Sequence, residues 1–132
     1  MLEQNYSEAI VRSSAILTGS YVAGTVIGTL SAFSRTELNN QLLLYISFTK
    51  GSLTSAEVKI EYSADATTYY QETYSAISGA TSTDTIGEHT MTATGNYRLA
   101  IPIKDRFIKV SAKGTGTTTN SLMAILAVIG IA

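Results

Sequence analysis

The stretch EVKIEYSADATTYYQET, residues 57–73, decides the fold class of this chain. Its first half alternates apolar and charged side chains without a break, which is the pattern of a β-strand with one buried and one solvated face. The charged row, Lys59 with a glutamate on either side, is therefore expected to face solvent. Small turn residues follow, and the chain then resumes with the adjacent tyrosines Tyr69 and Tyr70. The stretch predicts a β-hairpin with an aromatic return strand.

Two stretches further along the chain alternate in the same way. They are NYRLAIPI (residues 96–103) and RFIKVSAKG (residues 106–114). Pro102 cannot donate a hydrogen bond to a neighbouring strand, so the first stretch is expected at a sheet edge. The short link of residues 104–105 (KD) predicts that the two stretches form a hairpin. The residues expected to face the core are Tyr97, Leu99, Ile101, Ile103, Ile108, Val110 and Ala112.

Two more stretches are apolar on both faces: QLLLYISFT (residues 41–49) and the C-terminal SLMAILAVIGIA (residues 121–132). A strand of this kind has to be covered on its second face as well as on its core face. Two kinds of cover are open, a segment of the same chain or a neighbouring subunit. By strand parity, the residues expected to contact another subunit are Leu43, Tyr45, Leu126 and Val128.

The rest of the chain completes the expected domain organisation. Residues 1–9 are expected to form a polar N-terminal arm, and residues 10–132 a single β-sandwich domain. Two strands are expected around residues 19–20, with a helix over residues 7–17 as the alternative. Residues 78–89 (SGATSTDTIGEH) have no periodic pattern and are expected to form a polar loop. With about eight or nine short strands, the predicted fold class is all-β, an antiparallel β-sandwich of the jelly-roll type.

The composition limits what the chain can do. Its 132 residues suit one domain, and without cysteine it has no disulfide framework or thiolate metal site. Nine basic and ten acidic residues give a net charge of −1, which argues against nucleic acid as a partner. The longest nearly apolar run, residues 122–132, is shorter than the ~20 residues of a membrane helix, so no membrane contact is expected. Only 14% of the residues are charged, against about 25% in an average domain, and this favours self-association.

Polar groups that could converge on a catalytic site are scarce. His89 is the only histidine and is expected in a solvated loop. Asp65, Asp84 and Asp105 are single acids in predicted turns, where an aspartate commonly accepts hydrogen bonds from the backbone two residues on. We therefore predict no metal, no cofactor and no enzymatic activity. A small hydrolase or lyase that uses His89 is the alternative.

Three tyrosines near the hairpin are candidate exposed aromatics. Tyr69 and Tyr70 are adjacent, so on a strand they face opposite ways, and Tyr74 shares a face with Tyr70. A carbohydrate platform would need coplanar rings on one face, and this spacing offers two at most. Packing in the core and in interfaces is the favoured interpretation, with ligand binding as the alternative.

The residues EYSADATTYYQET resemble a β-sandwich hairpin of many virion proteins of tailed bacteriophages, which has the form E-x-S-x-D-G-x-x-[WY]-Y. In those proteins a serine- and threonine-rich loop follows, then a strand like NYRLAIPIKDRFIKVSAKGTGT and a hydrophobic final strand. This chain is similar in that order from about Ser55 onward. It looks most like small capsid-decorating (auxiliary or cement) proteins of one jelly-roll domain. It departs from the pattern at Ala66, where glycine is usual, and a type I turn that tolerates alanine is expected there.

The resemblance implies a structural protein of a phage virion that decorates and stabilises the capsid. It implies a homo-oligomer on the outside of the expanded shell, with the major capsid protein as its partner, made in the host cytoplasm. The alternative is a carbohydrate- or receptor-binding module of a tail or fibre, because similar hairpins also occur in such modules.

Overall fold

The chain folds into antiparallel β-sheets. The structure, a computed structural model, describes residues 5–28, 41–71, 73–78, 80–86, 88–103 and 105–131. The strands within these ranges are β1 (Asn5–Ala15), β2 (Val22–Ala23), β3 (Ile27–Gly28), β4 (Gln41–Thr49), β5 (Leu53–Ser63), β6 (Tyr70–Gln71), β7 (Thr73–Ser78), β8 (Thr81–Ile86), β9 (Glu88–Met91), β10 (Gly95–Pro102), β11 (Phe107–Gly116) and β12 (Leu122–Ile131).

Two of the sheets make the sandwich. Sheet I has the strand order β1–β12–β4–β10. Sheet II has the order β2–β11–β5–β6, and β3 also pairs with β11 while β9 pairs with β5. The hairpin of β7 and β8 forms a separate two-stranded sheet. From β4 onward, the long strands β4, β5, β10, β11 and β12 alternate between the two sheets along the chain, and the core lies between the sheets.

The core consists of the inward rows that the alternation predicts, because successive side chains of a strand point to opposite faces. In β4 every second residue from Leu42 to Phe48 is almost completely buried. In β11, Ile108, Val110 and Ala112 are buried in the same way from sheet II. The predicted all-β antiparallel sandwich is thus confirmed. The other buried apolar residues are Val11, Leu17, Ile27, Leu53, Ala56, Val58, Ile60, Tyr62, Met91, Ile101, Met123, Ile125, Ala127 and Ile129.

The position of β10 confirms one expectation and corrects another. This strand pairs with β4, lies at the end of the sheet I order and stops at Pro102, as the missing donor of proline predicts. The predicted hairpin of β10 and β11 is wrong, because β11 lies in sheet II and pairs with β5. The chain therefore passes from sheet I to sheet II between Pro102 and Phe107. Ile101 of β10 and Ile108 of β11 are both buried in the same core.

The N-terminal segment is a strand from Asn5 onward. Residues 5–9, which were expected in an arm, pair with β12 in the register from Asn5↔Ile131 to Ala9↔Ala127. The alternative of a helix over residues 7–17 is wrong. Most of these residues belong to β1, which forms an edge strand of sheet I through its backbone hydrogen bonds with β12. Residues 1–4 lie outside the described ranges.

The polar loop expected over residues 78–89 is also wrong. Residues 73–78 and 81–86 form the β7–β8 hairpin, and Glu88–Met91 is β9, which pairs with β5. The stretch is rich in threonine, a residue that favours strands. The sequence shows no sign of this hairpin, because its strands contain few apolar residues. They therefore lack the alternation of apolar and polar residues by which a half-buried strand is recognised.

Candidate interaction surface

The outward side of sheet I brings together the four residues that parity predicted for subunit contact. Leu126 of β12 lies opposite Tyr45 of β4, and Val128 lies opposite Leu43 on the same pair of strands. Tyr45 is 41% exposed, while the other three are half-buried. We call this side of sheet I the outer apolar face. Its four central residues form one contiguous block because they occupy two adjacent registers of two neighbouring strands.

Two further apolar residues extend the block and were not among the predicted contacts. Ile10 of β1 lies opposite Leu126 and is 63% exposed, the highest value for an aliphatic side chain on this face. Leu122, at the start of β12, is 43% exposed. Ile10 was missed because the expected boundary between arm and domain fell beside it.

A groove of about 710 Å³ runs across the outer apolar face. The strand β1 has register shifts on both sides of Arg12, so its edge bends there and bounds the groove. Arg12 stabilises the bend: its Nε donates to the Met123 carbonyl at 3.1 Å, and its Nη2 donates to the Ile16 carbonyl at 2.9 Å. Burial lowers the pKa of Arg12 below its ordinary value. The residues lining the groove include two arginines and no acid; they are Ile10, Arg12, Ser13, Ser14, Tyr45, Ile46, Ser47, Asn96, Tyr97, Arg98, Ala124, Ile125 and Leu126.

The charged row of β5, on the outward side of sheet II, is not solvated as expected. Glu57 and Glu61 are only 8% and 9% exposed. They are thus buried even though they alternate with core residues and therefore point away from the core. Glu57 Oε1 accepts hydrogen bonds from the hydroxyls of Ser55 at 2.8 Å and Thr115 at 2.7 Å. Glu61 lies 3.6 Å from the Lys59 amine. The row is a covered and largely paired polar layer, and the pairing offsets the cost of its burial.

Two aromatic rings, those of Tyr21 and Tyr69, lie against the lysines of this layer. The Tyr21 ring lies 4.6 Å from the Lys59 amine and 4.8 Å from the Lys113 amine, measured to the ring centroid. Burial raises the pKa of Tyr21, and the nearby carboxylates Glu88 and Glu57 add to this effect. Within the described part of the chain, no hydrogen bond of standard length reaches the Tyr21 hydroxyl or Glu57 Oε2, although both atoms are buried. Local alternation could not reveal this cover, because Tyr21 precedes β5 by a long stretch of chain.

The tyrosines of the hairpin do not form a platform in the described part of the chain. Tyr69 lies on the same side as the charged row, with the Lys109 amine 4.2 Å from its ring centroid. Tyr70 pairs with the buried Tyr62, so it points to the other side of the sheet, where it is 67% exposed at the edge. The opposite orientation of the two neighbours is as predicted. The side chain of Tyr74, in β7, lies outside the described side chains.

The corner between β5 and β6 is a tight turn built by Ser63 and Asp65. The Ser63 hydroxyl is completely buried, accepts from the Asp65 and Ala66 N–H groups and donates to Asp65 Oδ1 at 3.0 Å. Asp65 Oδ1 also accepts from the N–H groups of Thr67 and Thr68 at 2.9 and 3.0 Å. These hydrogen bonds, that of Thr68 first, lower the pKa of Asp65. The aspartate bonds the backbone two residues on, as predicted.

Within this turn Ala66 has a φ of +61°, in the left-handed region that favours glycine. The expected type I turn is therefore wrong. The hydrogen bonds of Ser63 and Asp65 hold the backbone in this conformation, and the alanine is accommodated in spite of it. At position 66 the backbone therefore has a positive φ, the conformation that glycine favours. Glycine is also the usual residue at this position in the phage hairpins that the sequence resembles.

His89 lies in β9 and not in a solvated loop. It pairs with Val58, whose side chain faces the core, so the imidazole is half-buried on the inward side of sheet II. Its Nε2 is buried and has no hydrogen-bond partner among the described residues. Within the described ranges, no group of three or more histidines, cysteines or acids could hold a metal ion.

Comparisons with known proteins assign no family to this chain: no family model matches it, and no curated protein matches it. Within the described residues, no helix is long and apolar enough to cross a membrane.

Proposed function

We propose that this chain is a structural protein of a tailed-bacteriophage virion, which decorates the outside of the capsid and stabilises it. It does so by associating with itself and with the major capsid protein. The sequence resemblance in residues 61–70 supports the virion assignment. The outer apolar face of sheet I supports the mode of action and is the observation that carries the proposal.

The argument from the outer apolar face is one of composition and position. Ile10, Tyr45 and Leu122 are each more than two-fifths exposed, and they lie on one side of one sheet together with three half-buried aliphatic residues. Single exposed apolar residues are common on proteins, but a contiguous apolar patch marks an interaction site. Polar residues along β10, such as Asn96 and Arg98, rim the patch, as in protein–protein interfaces. Such a surface fits a protein partner better than a small ligand.

The mechanism is mechanical and needs no catalytic group. A protein that binds the assembled shell, and not the separated capsomers, stabilises the shell by mass action. At a free concentration 100 times its dissociation constant, each bound copy adds about 2.7 kcal/mol to the stability of its site. The large number of equivalent sites on a capsid multiplies this effect. Burial of apolar side chains would supply much of the binding free energy, at roughly 25 cal/mol per Å².

The order of the strands supports the jelly-roll form of the sandwich that capsid-decorating proteins are expected to have. If β2 and β3 are taken as one interrupted strand, and β6 and β9 as another, the sandwich has eight strands. Sheet I then contains the first, eighth, third and sixth strands in spatial order, and sheet II the second, seventh, fourth and fifth. This alternation is what two interwound Greek keys produce. The β7–β8 hairpin is an insertion within the fifth strand.

A binding experiment with intact shells tests the proposal. Purified protein is mixed with expanded shells of the phage that encodes it, and co-sedimentation measures the bound fraction. We expect saturable binding, weakened at least tenfold by Tyr45→Lys, because a lysine buried in an apolar contact has to lose its hydration. Tyr70→Lys is the matched control, since Tyr70 is more exposed than Tyr45 and belongs to a strand of sheet II. Absence of binding by the parent, or equal effects of the two substitutions, would contradict the proposal.

The carbohydrate- or receptor-binding role is the alternative, and no observation in the described part of the chain favours it. Tyr69 is engaged by Lys109, and Tyr70 points the other way. A glycan array on the pure protein tests this role directly. A hit that Tyr70→Lys abolishes would replace the proposal above.

A further inference from the structure

Two rows of side chains cross the outer apolar face, and each ends in a charge on one edge strand. Pairing in register sets the rows, because residues opposite each other on antiparallel strands share a face. Glu8 on β1 and Arg98 on β10 are both exposed and lie at opposite edges of sheet I. From β1 to β10, the first row is Glu8, Val128, Leu43 and Ala100, and the second is Ile10, Leu126, Tyr45 and Arg98.

This distribution is self-complementary under one particular symmetry. A two-fold axis in the interface, parallel to the strands and between β12 and β4, places β1 of one copy over β10 of the other. The same axis places β12 over β4, so that the apolar blocks cover each other. Glu8 of each copy then comes close to Arg98 of its partner. Their rows are two residues apart, about 7 Å along the strand, which two long side chains can span.

We propose that a second copy of this chain occupies the outer apolar face, with sheet I packed on sheet I and Glu8 of each copy paired with Arg98 of the other. The inference deepens the proposed function and rests on its claim that this face is an interaction surface. The alternative axis, across the strands, places β1 on β1 and β10 on β10, so that like charges meet. The charges therefore select between the two symmetric arrangements. Both arrangements keep the strands of the two sheets roughly aligned, as in β-sandwich packing.

Arg98 is the arginine placed for this contact. Arg12, the other arginine of the groove, donates to the carbonyls of Met123, Ala15 and Ile16 within its own chain. Its guanidinium is thereby fixed at the bend of β1. Arg98 lies at the far edge of the groove and is exposed.

The available area suffices for a stable pair. The strand β12 has ten residues, so at ~3.4 Å per residue the face is about 34 Å long. Four strands at a spacing of ~4.8 Å make it about 19 Å wide. Each copy thus offers about 650 Å², and the pair would bury about 1,300 Å² in total. A specific interface is expected to exceed about 1,000 Å².

A charge-swap experiment tests the pairing. Arg98→Glu gives a copy with two acids at the contact positions, and Glu8→Arg gives a copy with two arginines. Each variant alone should associate with itself about tenfold more weakly than the parent at low salt, because the substitution reverses two symmetric contacts. An equimolar mixture of the two variants should regain the parent affinity, since every contact then joins opposite charges. Light scattering during size-exclusion chromatography and sedimentation equilibrium measure both quantities.

Controls separate the pairing from other effects. Arg106→Glu makes the same charge change at an exposed position outside the strands of sheet I and should leave self-association unchanged. Thermal unfolding of each variant checks that the fold is retained. Raising the salt concentration should shrink the difference between single variants and mixture, because exposed pairs are screened. A parent that stays monomeric at high concentration, or a mixture no tighter than the single variants, would overturn the inference.

Co-sedimentation with shells distinguishes this inference from the proposed function. If the mixture regains association but neither parent nor mixture binds shells, the pairing stands and the capsid role fails. If the parent binds shells while the charge substitutions leave its association state unchanged, the capsid role stands and the pairing fails.

Discussion

Ala66 offers a direct test of the turn that joins β5 to β6. Its φ of +61° lies in the left-handed region, where the Cβ atom approaches the backbone. A residue other than glycine pays about 1–2 kcal/mol for this conformation. Ala66→Gly removes that cost. The same substitution gives the unfolded chain more conformational freedom, which costs about 0.5–1 kcal/mol.

The net effect of Ala66→Gly is therefore a gain of about 0.5–1 kcal/mol in the free energy of unfolding. Ala66 is exposed, so little packing is lost with its methyl group. For a chain of 132 residues, an unfolding entropy of about 2.1 cal/mol/K per residue converts this gain into a rise of about 2–4 °C in Tm. Urea denaturation should show a higher midpoint with an unchanged m-value, because the surface exposed on unfolding stays the same.

Ala64→Gly is the matched control for this measurement. Ala64 is exposed in the same turn, and Ala66 is the one described residue other than glycine with a positive φ. Glycine at position 64 adds freedom to the unfolded state without relieving strain, so it should lower the unfolding free energy by up to about 1 kcal/mol. Equal losses from the two substitutions would refute the reasoning. They would mean that the turn leaves Ala66 unstrained and that the resemblance to glycine-bearing hairpins has no conformational basis at this position.

Three further outcomes are expected in urea denaturation. Ser63→Ala should lower the free energy of unfolding by about 2 kcal/mol, because the buried hydroxyl accepts from two N–H groups and donates to one carboxylate. A urea midpoint equal to that of the parent would contradict this. The pKa of Asp65 is lowered by its hydrogen bonds, that from Thr68 first, so its stabilisation is present above pH 3.8 and is lost as the pH falls through the lowered value. The stability difference between parent and Asp65→Asn should accordingly narrow below pH 3.8, and a difference independent of pH would argue against the charge. Gly24→Ala should cost about 2 kcal/mol, because its Cβ would lie 2.3 Å from a backbone oxygen of β1, whereas Gly19→Ala, with no atom within 4 Å, should cost much less.

Alternation along single strands was enough to predict the fold class and the inward rows. In β4 and β12 the choice of face for Tyr45 and Leu126 follows from parity alone, and the structure places them opposite each other. Parity is reliable here because an error of one residue would turn an entire apolar row out of the core. The register between strands is different, because it depends on partners that are distant in sequence. Glu8 and Arg98 therefore acquire a relationship only once β1 and β10 are known to be the edges of one sheet.

Two of the wrong predictions share a physical cause, which is that tertiary contacts override local signals. Few residues separate β10 from β11 in the sequence, as in a hairpin, yet β10 pairs with β4 and β11 pairs with β5. The glutamates of β5 were expected in solvent, but Tyr21 and the neighbouring strands cover them. The sequence of a single strand shows neither its pairing partner nor the burial of its charged side. A charged row that is covered and one that faces solvent have the same alternation of residues.

The corner motif also shows which part of the sequence resemblance bears on function. Within residues 61–70, Glu61 lies 3.8 Å from the amine of Lys109, and that amine lies over the ring of Tyr69. Ser63 and Asp65 build the turn, and the next position needs a positive φ. Each of these residues thus has a structural reason to be where it is, which accounts for the motif as a way of turning between strands. The functional weight of the proposal therefore falls on the outer apolar face of sheet I, which the turn does not require. A substitution on that face should weaken association and leave the stability of the fold unchanged. A substitution in the corner between β5 and β6 should change the stability and leave association unchanged.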